Sequence, residues 1–178
     1  TKGFEGTARR MARLMQSRYQ IGFVDVGGWD THVGQGAATG ALANRLEELG
    51  RGLAGFADEM GPAWKSTVVV VISEFGRTFR ENGNRGTDHG HGNAMLLIGS
   101  RINGGRRHGG WEGLAPGQLN EKRDLPVLND FRAVLSTVLR GTQGVGDAQL
   151  AALFPGNPFA GAALMTGDNR LLKDLVRA

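Results

Sequence analysis

The stretch that decides the fold is TVVVVI at residues 67–72, followed at once by SEFGR at residues 73–77. The run is β-branched throughout and apolar on both faces, which is typical of a central strand in a parallel sheet. Shorter apolar runs, IGFVDV at residues 21–26 and AMLLI at residues 94–98, predict two further strands. The sequence therefore predicts three strands, with TVVVVI as a central one.

In the segments before, between and after these strands, apolar residues recur at helical spacing. It predicts helices at residues 4–18, 39–60, 130–140, 147–153 and 168–177. The second of these ends near Gly61-Pro62, and Asp130 is the expected N-cap of the third. Strand, helix, strand is the pattern of an α/β protein with a parallel sheet.

Composition narrows the classes of function. A chain of 178 residues fits one domain with a real core. It has no cysteine, which excludes disulfides and thiolate–zinc sites, and no apolar run near the ~20 residues that span a bilayer. The pI of about 10.1 alone suggests nucleic-acid binding, but no block of like charges accompanies it. We therefore expect neither a nucleic-acid partner nor a membrane partner.

Carboxylates and imidazoles follow the predicted strands. Asp30 and His32 come after the first strand, Glu74 directly after the second, and His89 and His91 precede the third. Ligands in open α/β sheets bind outside the carboxyl ends of the strands, so we expect these residues at one sheet edge. Imidazole nitrogen and carboxylate oxygen are the usual zinc ligands when cysteine is absent. Asp88 is a further candidate ligand.

Plainer interpretations stand beside this one. A single Asp-x-His is a weak signal, and a histidine in a glycine-rich loop is commonly just solvated. For Arg77 and Arg80 two interpretations are equally good: they bind an anionic substrate, or they are simply solvated. Asp25 is either a carboxylate that orients a ligand or a surface residue. The Asp30/His32 pair, the His89/His91 pair and a strand-end glutamate together nevertheless favour a metal or catalytic site.

Four segments in this order carry a resemblance: GGWDTH, VVVVISEFGRT, GTDHGHGN and DLPVLNDFRAVL. Over residues 20–155 the chain resembles the bacterial family called domain of unknown function 1501, which is placed with the alkaline phosphatase and sulfatase superfamily. The resemblance implies a three-layer sandwich with a mainly parallel central sheet. It also implies a periplasmic or secreted protein, because family members often carry a twin-arginine export signal, although this chain shows no signal of its own.

The resemblance also assigns roles. Asp30 and His32 look like the superfamily's Asp and His at one strand end, at a shorter spacing than usual. Glu74 falls where the Asp of an Asp-His pair stands, while Phe75 replaces the His and cannot bind a metal. One of His89 and His91 matches the final histidine, and we expect the other to replace the missing imidazole.

The resulting hypothesis is a metal-dependent hydrolase-like protein that acts on phosphate or sulfate esters, small anionic substrates. We expect one or two divalent ions, zinc first and manganese or calcium as alternatives, with Arg77 stabilising charge in the transition state. The resemblance implies a Ser or Thr nucleophile from a segment that precedes the metal ligands, and nothing before residue 20 of this chain resembles that segment. We therefore expect residues 1–178 to be a single domain or the C-terminal part of a longer one. The alternative is a non-catalytic domain with a degenerate metal or anion site.

Overall fold

The computed structural model describes residues 3–156 and 174–177. The chain divides into two units. The first comprises Thr1–Trp64 and Thr78–His89, and the second comprises Lys65–Arg77 and Gly90–Ala178. Within the described residues the elements are, in order, α1 (Gly3–Ser17), α2 (Ala41–Met60), β1 (Val69–Val71), β2 (Gly76–Arg77), β3 (His89–Gly90), β4 (Leu96–Ile98), α3 (Phe131–Gln143) and α4 (Asp147–Leu153), with short 3₁₀ turns at Gly61–Ser66 and Pro116–Gln118.

Helices α1 and α2 pack together in the first unit and confirm the helices predicted at 4–18 and 39–60. Glycines in α2 make the close packing possible, since a Cβ at Gly52 would lie 2.2 Å from the Phe4 ring. Glu59 of α2 forms an ion pair with Arg13 of α1 at 3.1 Å. The glycines that weaken α2 as an isolated helix are therefore the residues that let its neighbour approach.

Helix α3 and the β1–β4 ladder form the core of the second unit. Ala133, Val134 and Val138 of α3 are buried with Leu175, and partly buried side chains of both strands pack against them. Asp130 caps α3 as predicted, because its side chain accepts a hydrogen bond from the Arg132 backbone N–H at 2.8 Å. Helix α4 confirms the short helix predicted at 147–153.

The predicted three-layer α/β sandwich with a mainly parallel sheet is wrong. TVVVVI and AMLLI do contain strands, but β1 pairs antiparallel with β4 in the register Val69↔Ile98 and Val71↔Leu96. Parallel neighbours need a crossover connection, usually a helix, and the chain between β1 and β4 contains none. The other ladder in the described residues is the two-residue pairing of β2 with β3, where Gly90 lies beside Arg77.

The prediction of a strand at residues 21–26 is also wrong. This segment has no regular secondary structure, and Phe23 is 89% exposed. No strand in the described part of the chain pairs with it, and a lone strand leaves its backbone groups to water. Apolar composition alone therefore did not produce a strand. Most of the helix predicted at 168–177 lies outside the described residues, and residues 174–177 are not helical.

Two loops of the first unit, residues 30–35 and 82–89, pack backbone against backbone. Gly86 is buried, and a Cβ built on it would lie 2.2 Å from both the carbonyl carbon and the carbonyl oxygen of His32. The Thr87 N–H donates to the Thr31 carbonyl at 3.1 Å. Glycine at position 86 is therefore required for this contact.

We predict that Gly86→Ala destabilises the protein by about 1–3 kcal/mol, the usual cost of forcing extra volume into a packed site. The matched control is Gly83→Ala in the same loop, where an added Cβ meets nothing within 4 Å. Urea denaturation of both variants measures the difference. Equal stability of the two variants would contradict the packing described here.

Candidate metal centre

The loop from residue 27 to residue 35 carries Asp30 and His32, and Gln35 ties it to the loop at 82–89. The Gln35 side-chain oxygen accepts hydrogen bonds from the Thr31 hydroxyl at 2.8 Å and from the Thr87 hydroxyl at 2.7 Å. The Gln35 N–H donates to the Arg85 carbonyl at 2.8 Å. One amide side chain thus holds a threonine from each loop.

Asn82 makes the second connection. Its side-chain oxygen accepts the N–H of Gly86 at 3.0 Å, which closes the turn of its own loop. Its side-chain nitrogen donates to the His32 carbonyl at 3.1 Å and to Asp88 Oδ1 at 2.9 Å. Asn82 therefore fixes the backbone of His32 and the carboxylate of Asp88 with one amide group.

Three potential ligand atoms converge where these loops meet. Asp30 Oδ1 lies 2.8 Å from His32 Nε2 and 2.8 Å from His89 Nε2. The two Nε2 atoms lie 3.3 Å apart, and the ring centroids are separated by 4.9 Å. Within the described part of the chain, these residues form a group whose spacing suits a metal ion.

The spacing can be compared with zinc geometry. Tetrahedral bonds of about 2.0–2.1 Å place any two ligand atoms about 3.3 Å apart. The separation of His32 Nε2 and His89 Nε2 is 3.3 Å, and the two distances to Asp30 Oδ1 are 2.8 Å. The separation of the two imidazole nitrogens therefore matches that of two ligands of a tetrahedral zinc ion, while each distance to the carboxylate oxygen is about half an ångström shorter.

Asp88 occupies the other side of the His32 ring. Its Oδ1 lies 3.1 Å from His32 Nδ1. An ionised carboxylate only accepts hydrogen bonds, so Nδ1 carries the proton of this contact, and Nε2 is the ring atom that faces Asp30 Oδ1. At 2.8 Å, these two atoms need a proton or a cation between them. A carboxylate behind a histidine is also the usual support of a metal-binding imidazole.

The centre is open to solvent. The side chains of Asp30, His32 and His89 are 54%, 42% and 52% exposed. Three protein ligands with an accessible fourth position are typical of catalytic zinc sites, whereas structural zinc sites have four protein ligands. The donor set and its exposure therefore fit a divalent ion that can also contact a small molecule.

The structure brings together Asp30, His32, Asp88 and His89 in the first unit. The other predicted site residues, Glu74, Arg77 and His91, belong to the second unit. Glu74 is exposed, and the Arg77 guanidinium lies 5.5 Å from the centre of the Phe75 ring. Glu74 and His91 as metal ligands and Arg77 as a charge-stabilising residue stay predictions.

His91 has a carboxylate partner of its own in the second unit. Asp124 is fully buried, and its Oδ2 accepts from the His91 N–H at 2.6 Å and lies 3.0 Å from His91 Nδ1. Burial acts to raise the pKa of Asp124, but the hydrogen bonds from His91 and from the Arg123 side chain outweigh it, so the pKa lies below its ordinary value. Asp124 is therefore held as a carboxylate.

Sequence reasoning missed Gln35, Asn82 and the role of Asp124. Asn-Gly pairs such as Asn82-Gly83 are typical of turns, but nothing in the pattern shows that the Asn82 side chain reaches Asp88. Asp124 lies between Arg123 and an apolar stretch, and its residue type alone predicts no more than a structural cap. Only the fold shows that these residues orient the histidines.

The chain was compared with curated proteins, solved structures and protein-family models. No curated protein and no solved structure matches the chain significantly. Among the described residues, no helix combines the length and apolar character needed to cross a membrane. A family model with the description "Protein of unknown function (DUF1501)" matches residues 5–154, which is most of the 178-residue chain. The chain therefore belongs to the DUF1501 family.

Proposed function

We propose that this protein binds a divalent metal ion, zinc first, through Asp30, His32 and His89, and uses it to hydrolyse phosphate or sulfate esters. The observation that carries the proposal is the convergence of one carboxylate oxygen and two imidazole nitrogens, with Asp88 behind His32. We further propose that the family belongs to the sulfatase-like branch of the alkaline phosphatase and sulfatase superfamily. That assignment and an exported location rest on the sequence resemblance.

The donor set supports zinc over calcium. Calcium prefers six to eight oxygen ligands, whereas two imidazoles and one carboxylate match zinc. Manganese can bind the same ligands, but divalent manganese generally binds a given site more weakly than zinc does. The proposal therefore commits to zinc as the tightest ion at this centre.

Each of the protein's groups at this centre would have a separate role in hydrolysis. A divalent ion held by Asp30, His32 and His89 would supply Lewis acidity, which would polarise a phosphoryl or sulfuryl oxygen for attack by water. Asp88 keeps the His32 Nε2 lone pair directed toward the centre, and Asn82 holds Asp88 in place. The half-exposed ligands leave room for a small anionic ester on the solvent side.

A second candidate function is metal binding without catalysis. Phe75 favours it, because phenylalanine stands shortly after β1 where the resemblance expects an imidazole ligand. The Phe75 ring lies against the Arg77 guanidinium, so Arg77 has a structural contact as well as a charge. Under this candidate the zinc centre forms but no ester is hydrolysed.

We predict that the purified protein binds zinc at the Asp30 centre and that His32→Ala and His89→Ala each abolish this binding, since two protein ligands hold zinc poorly. His108→Ala is the matched control, because His108 Nε2 donates instead to the Asn103 carbonyl at 3.0 Å. Equilibrium dialysis followed by metal analysis gives the stoichiometry. Unchanged zinc content in both ligand variants would refute the centre.

We predict that Asp88→Asn lowers zinc affinity about 10- to 100-fold without changing the stoichiometry, the usual effect of losing a carboxylate that supports a metal-binding histidine. Asp25→Asn is the control, an exposed carboxylate of the same unit. Competition titration with a zinc-sensitive dye measures both affinities. An equal effect of the two substitutions would show that Asp88 acts only through its charge.

We predict hydrolysis of p-nitrophenyl phosphate or p-nitrophenyl sulfate by the zinc-loaded protein, with the rate falling to the uncatalysed level in His89→Ala. The release of p-nitrophenol is followed with zinc, manganese or calcium supplied. Full zinc occupancy without release of p-nitrophenol from either ester would overturn the hydrolase proposal and favour the binding function.

A further inference from the structure

Asn82 is followed by Gly83, and an asparagine before a glycine is the arrangement most prone to lose its side-chain amide spontaneously. Glycine has no Cβ, so its backbone nitrogen approaches the preceding side-chain carbonyl carbon without hindrance. Gly83 is exposed, and a Cβ built on it would meet nothing within 4 Å. The chain has a second such pair, Asn103-Gly104, which belongs to the second unit.

The loss of the amide proceeds through a ring formed by Asn82 and Gly83. The Gly83 backbone nitrogen forms a bond to Asn82 Cγ, the bond from Cγ to Nδ2 breaks, and Nδ2 leaves as ammonia with the proton of the Gly83 N–H. Water then opens the five-membered succinimide at either carbonyl, which gives aspartate or isoaspartate at position 82. Nothing is oxidised or reduced, and water is the one reactant consumed.

In the folded protein, hydrogen bonds between the two loops of the first unit hold the atom that must leave. Asn82 Nδ2 donates to the His32 carbonyl at 3.1 Å and to Asp88 Oδ1 at 2.9 Å. Asn82 Oδ1 accepts from the N–H groups of Asn84 and Gly86 at 2.9 Å and 3.0 Å. Because Nδ2 is the leaving atom, the ring cannot close while Nδ2 bridges the loops. The reaction therefore requires local separation of the loops.

The product cannot restore these contacts. A carboxylate only accepts hydrogen bonds, so the donations from position 82 to the His32 carbonyl and to Asp88 are lost. An oxygen in the place of Nδ2 would also bring a second negative charge to 2.9 Å from Asp88 Oδ1, and like charges at that distance repel. Isoaspartate adds a methylene group to the backbone as well. Both products therefore favour separation of the loops that carry His32 and His89.

Asn103 provides a comparison within the same chain. Its backbone carbonyl lies 3.0 Å from His108 Nε2, but its side-chain amide has no hydrogen-bond partner in the part of the chain that the structure describes. Gly104 is exposed, and a Cβ built on it would meet nothing within 4 Å. Since no hydrogen bond holds the Asn103 amide, we expect it to be lost faster than the Asn82 amide.

We infer that Asn82 is a site of spontaneous deamidation, protected while the two loops are in contact, and that loss of its amide disables the metal centre. The inference deepens the proposed function, and its statement about metal rests on that function. A zinc ion bound by Asp30, His32 and His89 would stabilise the loops in contact, because a ligand that binds one form shifts the equilibrium toward it. Zinc should therefore slow deamidation at Asn82 and leave the rate at Asn103 unchanged.

The first test follows deamidation in the folded protein during incubation in warm, mildly alkaline buffer, with and without zinc. Peptide mapping by mass spectrometry quantifies aspartate and isoaspartate at both positions, and each rate is divided by the rate at the same position in urea-unfolded protein. Without zinc, this ratio should be about tenfold or more lower at Asn82 than at Asn103, which corresponds to about 1.4 kcal/mol of opening free energy. Zinc should lower the ratio at Asn82 further.

Two variants connect the rate to the loops. Gly86→Ala, whose added Cβ would clash with the backbone of the facing loop, should accelerate deamidation at Asn82 and not at Asn103. Gly83→Ala should suppress deamidation at Asn82, because the added methyl group hinders ring closure while it meets nothing within 4 Å in the folded protein. Equal ratios at Asn82 and Asn103 in the wild-type protein would overturn the inference, even if Gly86→Ala does not fold.

The second test uses Asn82→Asp, which introduces the charge of the product, with Asn103→Asp as the matched control. Asn82→Asp should lower the urea midpoint and weaken zinc binding about 10-fold or more, whereas Asn103→Asp should change neither. Wild-type stability and zinc affinity in Asn82→Asp would overturn the inference and leave the proposed function standing. No zinc binding by the wild-type protein would refute the proposed function and the statement about metal, whereas the protection of Asn82 is decided by the metal-free samples.

Discussion

Two loops far apart in sequence are held together by the side chains of Gln35 and Asn82, and the candidate metal centre depends on this junction. Each amide bridges the loops, Gln35 through a threonine hydroxyl on either side and Asn82 through the His32 carbonyl. Gly86 allows the backbones to meet. Without the junction, Asp30 and His89 would have no reason to share a point in space, because neither residue lies in a helix or a long strand.

The fold was predictable where the signal is local. Helical periodicity placed α1, α2 and α3 closely, and Asp130 identified the start of α3, because caps and amphipathic spacing act over a few residues. The partner of a strand depends on contacts with residues far away in the sequence. The TVVVVI run forms β1, but its antiparallel pairing with β4 and the absence of a strand at residues 21–26 depend on what lies alongside, which apolar composition does not encode.

The site illustrates the same division. The Asp30, His32 and His89 side chains were selected by residue type and spacing, and the structure gathers them in the first unit. The sheet-edge argument used to bring them together does not hold, because loop packing replaces the sheet. The roles of Asn82 and Asp124 depend on contacts across six residues and across 33 residues, which no local pattern reports.

The central claim is that three side chains of the first unit share one divalent ion. A crystal structure of the protein with zinc, using anomalous scattering at the zinc absorption edge, tests it most directly. The account predicts an anomalous peak about 2.0–2.2 Å from His32 Nε2, His89 Nε2 and a carboxylate oxygen of Asp30. A zinc peak that contacts neither imidazole, or none in a zinc-saturated crystal, would contradict it.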